Sequence, residues 1–148
     1  MPIADQVTLQ MKQAMKAKDE RRLVALRSMR TAFLNEMKKD GSTSVSDEVC
    51  EGLLRKLEKQ RKESIEAFAN AGRQELAAAE RAELAVIQEF LPKLADEAKT
   101  REWVEAAIFQ TGASSAKDVG KVMGALMKAH KGEIDGDFAR RLVQERLA

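Results

Sequence analysis

The sequence predicts an all-α protein in two parts: an N-terminal helical bundle followed by a compact three-helix C-terminal domain. Three observations carry that reading. Only two prolines, Pro2 and Pro92, occur in the 148 residues, so nearly the whole chain can be helical. Apolar residues recur at three- and four-residue spacing through successive segments, with no strand candidate of any weight. Aromatics make up 4% of a chain that is 44% hydrophobic, which calls for a thin, aliphatic core spread between helices.

The elements follow in order. Residues 5 to 18 form a first helix, with Val7, Met11, Ala14 and Met15 as its apolar side. "DERRLVALRSMRTAFLNEMKK" then sets Leu23, Leu26, Met29, Phe33 and Met37 at helical spacing, until the polar run "DGSTSVSDE" interrupts it. In that run Ser44 with Asp47 has the S-x-x-D form of a capping box, and Ser46 is the competing cap. A third helix, near 47 to 70, carries Val49, Leu53, Leu57 and Phe68 and ends around Ala71-Gly72, where glycine tolerates the left-handed conformation. A fourth covers about 73 to 91, with Leu76, Leu84, Ile87 and Leu91 inward, and Pro92 stops it.

Pro92 therefore marks the boundary between a four-helix part, 1–92, and a three-helix part, 93–148. The latter has helices near 98–110, with Trp103, Ala107 and Ile108 inward, near 116–130 and near 137–147. A unit this small has a marginal core unless docking supplements it.

Bulk properties narrow the function classes. The net charge of +2 and the pI of about 8.7 are only mildly basic, whereas dedicated nucleic-acid binders sit higher. A single cysteine, Cys50, excludes an intramolecular disulfide framework and points to a reducing compartment. The N-terminus has no apolar run of the signal-peptide kind, and no stretch approaches the roughly 18 apolar residues of a membrane span. A cytoplasmic protein without membrane association is the expectation.

Charge is concentrated in places. Between Lys12 and Lys39 nine basic residues face three acidic ones, and Arg27 and Arg30, three apart, share a helical face. A second cluster, Arg55, Lys56, Lys59, Arg61 and Lys62, is diluted by Glu58, Glu63 and the glutamates of the fourth helix. Such surfaces are either salt-bridged and solvated or phosphate-contacting; arginine's planar fork suits the second use.

The segment "GKVMGALMKAHKGEIDG" (120 to 136) is more informative. Val119, Val122, Met123, Leu126 and Met127 make an inward stripe, while Lys117, Gly120, Lys121, Gly124, Lys128 and Lys131 fall largely opposite. Ser115 can cap the helix with Asp118 as its reciprocal acid, and Gly132 terminates it before Asp135 or Asp137 caps the last one. Phe138, Leu142 and Leu147 are the core residues expected there. Two glycines inside a helix each cost about 1 kcal/mol relative to alanine. Their missing side chains admit a close neighbour, either a sugar–phosphate chain or another helix of the same protein.

No Rossmann fingerprint or P-loop is present, because no glycine-rich loop follows a strand. His130, the only histidine, has no nucleophile placed beside it by a recognisable motif, and reads as a surface residue favourable to a helix C-terminus. One cysteine with one histidine cannot complete a structural zinc site, so no metal and no cofactor are expected.

The chain resembles the YqeY-like family, which is related to the C-terminal tail region of the GatB subunit of the tRNA-dependent amidotransferase. The resemblance covers essentially the full length and is most specific in "RRLVALRSMRTAFLNE", "QRKESIEAFANAGRQELAAAERAELAVIQEFLP" and "TGASSAKDVGKVMGALMKAHKGEIDG". It implies an N-terminal helical bundle with a three-helix domain after it. It also implies a role in engaging tRNA, with the matching positions at Lys117, Gly120, Lys121, Gly124, Lys128, Lys131 and Gly132. The sequence departs at Lys128-Ala129-His130, where relatives often place a proline after the methionine, so the resemblance specifies that helix end least. Stand-alone members lack the amidotransferase catalytic portion. A label of carbon–nitrogen ligase with glutamine as amido donor would be inherited from the larger protein.

Two function classes remain with an outlier. One is a non-catalytic accessory module for tRNA or another structured RNA, reading backbone and shape; the scarcity of exposed aromatic candidates argues against stacking on single strands. The other is a protein–protein interaction module using the same small-residue helix. An accessory role in glutamine-dependent amidotransferase activity would require a partner subunit.

Overall fold

The computed structural model describes all residues, Met1–Ala148, as seven α-helices and one 3₁₀ turn with no strand. The chain divides into two compact units, Met1–Leu91 and Pro92–Ala148. No helix is long and apolar enough to cross a membrane.

In the first unit, α1 (Ile3–Ala17), α2 (Glu20–Asp40), α3 (Asp47–Asn70) and α4 (Gln74–Gln88) form a bundle in which α2 packs against each of the others. The joints are short and locally encoded. Lys18 takes a left-handed conformation at φ 56°, and Asp19 then accepts the N–H of Arg22 at 3.1 Å to start α2. Gly41 closes α2 at φ 68°. Of the two candidate caps on α3, Ser46 takes the role, accepting the Val49 N–H at 3.3 Å. Asp47 instead accepts the N–H of Ile3 at 2.8 Å, which ties the start of α1 to α3.

The core of this unit is the stripe Ile3, Val7, Met11 and Ala14 of α1 against Leu23, Leu26, Met29 and Phe33 of α2, Cys50 and Leu54 of α3, and Val86, Ile87 and Phe90 at the end of α4. Three expected inward residues are exposed instead. Met15 is 51% exposed because Ala14 already completes the α1 stripe. Val49 and Leu76 are exposed because their neighbours Cys50 and Ala77, both fully buried, hold the inward positions. Polar groups knit the helices as well. Arg61 of α3 pairs with Glu80 and Glu83 of α4 at 3.3 and 2.9 Å and reaches Ser28 of α2 at 3.3 Å. Glu58, buried, is met by Arg55 and by Gln88, each at 3.2 Å.

The second unit holds α5 (Glu97–Thr111), the 3₁₀ turn Ala116–Asp118, α6 (Val119–Ala129) and α7 (Gly136–Leu147) around a separate core. Val104, Ala107, Val122, Met123, Leu126, Ile134, Ala139, Leu142, Val143 and Leu147 are buried in it, with Trp103, Ile108, Val119 and Phe138 packed at its edge. Met127, expected in the inward stripe, is 37% exposed, beside the buried Leu126. Asp96 caps α5 through the Lys99 N–H at 2.8 Å. Asp135 caps α7 through the N–H groups of Asp137 and Phe138.

Candidate functional site

Gly112, at φ 67°, ends α5 and reverses the chain toward α6. Asp118 then organises the start of α6: its carboxylate accepts the Ser114 N–H at 2.9 Å and the Ser115 N–H at 3.4 Å. Those backbone donors, led by Ser114 and assisted by the charge of Lys121, hold its carboxyl below the usual range. The chain's own carboxylate thus meets the two backbone donors just ahead of this helix.

The outer face of α6 is where this unit displays its exposed lysines and glycines. Val122, Met123 and Leu126 turn into the core, so Gly120, Lys121, Gly124 and Lys128 turn outward, with Lys117 exposed in the 3₁₀ turn before them. Lys121, Gly124 and Lys128 follow the i, i+3, i+7 line along one side. Lys131 and Gly132 are exposed in the turn that follows, Gly132 at φ 77°. The unit's ion pairs engage Lys99, Arg101 and Arg146, and His130 lies against Glu133. None engages Lys117, Lys121, Lys128 or Lys131, which leaves four cations on a surface two side chains short.

Close packing against another helix of the same protein was one explanation for Gly120 and Gly124. The structure corrects it: a Cβ added at either position would meet nothing within 4 Å. Both glycines face open space, so no intramolecular contact offsets their conformational cost.

Arg27 and Arg30 lie on the exposed side of α2 in the first unit, and neither is ion-paired. The second basic cluster behaves differently, since Arg55 and Arg61 are engaged by Glu58, Glu80 and Glu83. Arg22 is likewise held by Glu89 at 2.8 Å, and that hydrogen bond raises its pKa. Cys50 is buried, and burial, reinforced by Asp47, pushes its thiol up to about 11. No group of three or more His, Cys, Asp and Glu side chains comes together as a candidate metal site.

Two features escape sequence reasoning. His130 is stacked on Trp103, with ring centroids 3.6 Å apart and an interplanar angle of 7°, and its Nδ1 lies 3.3 Å from the Glu133 carboxylate. Nothing in the spacing signals this, because the two rings come from different helices. Phe109 is 88% exposed near the end of α5, one aromatic displayed to solvent in a chain expected to show few.

The fold and this face define a two-unit, all-helical protein that displays an open basic helix surface. The chain belongs to the YqeY-like family: the sequence pattern described as Yqey-like protein matches residues 4–147. It is also similar to "Altered inheritance of mitochondria protein 41, mitochondrial" of the fungus Pyrenophora tritici-repentis (strain Pt-1C-BFP), at 30% identity over 140 residues. That match covers 91% of this chain and 75% of the fungal protein.

Proposed function

We propose that this chain is a non-catalytic accessory module that binds tRNA or a similarly structured RNA through the outer face of α6 and the turn after it. One observation carries the reading: Gly120 and Gly124 are bare toward open space, flanked by exposed lysines that form no close ion pair. Glycines that serve no packing in the protein's own fold are accounted for by a backbone arriving from outside. Lysines around them suit phosphates, and contact with backbone and shape is how double-helical RNA is bound. The family's relationship to the GatB tail supports the same choice of ligand. Any carbon–nitrogen ligase activity would belong to a complex in which this module assists another subunit. We place the protein in the cytoplasm, to be checked by fractionation, although the fungal relative's name carries "mitochondrial".

The test is fluorescence anisotropy with labelled deacylated tRNA at several salt concentrations. Binding should weaken as salt rises. A variant with Lys117, Lys121 and Lys128 all changed to Ala should lower the slope of log affinity against log salt by about 2 to 3 units. Absence of binding at low salt by the folded protein would refute the reading. Docking of a protein partner is the second reading, favoured by the exposed Phe109. It predicts affinity for a partner that survives salt and falls with Phe109→Ala while the lysine variant is unaffected.

A further inference from the structure

Resting on that reading, we propose that Trp103 and His130 are positioning residues for the basic face: their stack pins the end of α6 and thereby sets Lys128 and Lys131 for contact with phosphates. α6 continues through Lys128 and Ala129, and His130 is its cap, donating its N–H to the Leu126 carbonyl at 2.9 Å. The ring of His130 lies flat on Trp103 of α5, so the cap of one helix is clamped to the side of another. Lys99 of α5 stands 5.8 Å from the Trp103 ring and is itself paired with Glu102. The indole therefore has a partner besides the imidazole.

A second anchor follows within three residues. The Glu133 N–H returns to the His130 carbonyl at 3.0 Å, and the Glu133 carbonyl accepts the Ala95 N–H at 2.7 Å. The Glu133 side chain reaches back to His130 Nδ1, and Ile134 is buried in the core. Between these anchors stand only Lys131 and Gly132, the latter in the left-handed conformation that the turn requires. Lys131 thus projects from a turn held at both ends, and Lys128 from the last helical turn before the clamp. Neither lysine is tied by an ion pair of its own, so the backbone beneath them does the positioning. A frayed helix end would have to be ordered on binding, and that cost would be subtracted from affinity.

The chain has one tryptophan and one histidine, and they are this pair. Trp103 emission therefore reports on the stack without labelling. The experiment titrates deacylated tRNA into wild type, His130→Ala and His130→Phe, reading anisotropy of labelled tRNA and Trp103 emission in parallel. Amide hydrogen exchange of the free proteins follows residues 126–133. Binding should shift Trp103 emission in the wild type. His130→Ala should speed exchange at Glu133 and weaken affinity about fivefold. His130→Phe, which keeps a flat ring, should return affinity to within about twofold of wild type. Unchanged affinity in His130→Ala overturns the positioning role and leaves the RNA reading standing. A loss that His130→Phe does not repair also overturns it, since the imidazole would then be needed for itself. No binding by the wild type refutes the RNA reading, and this role falls with it. Should His130→Ala unfold the second unit, Trp103→Phe in the anisotropy and exchange assays, with intermediate loss expected, decides the matter, and full affinity there overturns the proposal.

Discussion

Lys18 is the only residue other than glycine in the left-handed region, at φ 56°, and it links α1 to α2. An L-residue there crowds its Cβ against the following carbonyl. Lys18→Gly should relieve that and raise stability by about 0.5–1 kcal/mol, read as a higher urea midpoint with an unchanged m-value. Cys50 offers a second check. Its thiol is pushed from the ordinary 9.0 to about 11 in the folded protein, so the folded state binds that proton more tightly than the unfolded one does. The resulting stability is fully present below pH 9 and is lost as pH rises toward 11. Cys50→Ala should lack this part of the alkaline fall, and native Cys50 should resist thiol reagents at pH 7 until the bundle opens. Asp118 runs the opposite way. Its depressed carboxyl pKa contributes stability above the usual carboxylate range and loses it as acid protonates the group, a loss that Asp118→Asn should remove from the acid limb.

Helices divide here into those whose polar residues hold the fold and those whose polar residues are left over. On α3, Arg61 is half-buried between two α4 glutamates, so Arg61→Ala should cost about 2–3 kcal/mol by leaving both carboxylates without it. On α6 the expectation reverses. Gly120→Ala and Gly124→Ala should each stabilise the second unit by about 0.5–1 kcal/mol, since the new Cβ meets nothing and the helix gains propensity. The same substitutions should weaken tRNA binding, because the ligand's backbone could no longer approach as closely. A thermal melt and an anisotropy titration on the same preparations separate the two effects. Gain of stability with no loss of affinity would mean that the glycines serve no contact at all.

For the molecule as a whole, two cores that share no residue set the expectation. The smaller unit is of the size at which one hydrophobic core is marginal. Leu126→Ala, at the fully buried centre of that core, should cost about 2–4 kcal/mol. Hydrogen exchange should then rise across α5, α6 and α7, and tRNA affinity should fall with it.

The helical class, the turn residues and most of the core could be read before any coordinates, because helical periodicity and cap chemistry are local. The spacing from Val122 to Leu126 alone turns Lys121, Gly124 and Lys128 to the other side of α6. Ser115 and Asp118 ahead of them announce where the helix begins. Choices between adjacent residues were not legible: Ala14 over Met15, Cys50 over Val49 and Ala77 over Leu76 follow from which neighbour each helix meets and how closely. Which arginines are consumed and which stay available also depends on partners from another helix, as Arg61 and Arg27 show. The stack of His130 on Trp103 joins residues far apart in the chain, and a pattern in sequence has no means of encoding that they touch. Whether Gly120 and Gly124 face a neighbouring helix or open space was likewise undecidable from composition, since a missing side chain suits either; only the packed fold showed that the space beside them is empty.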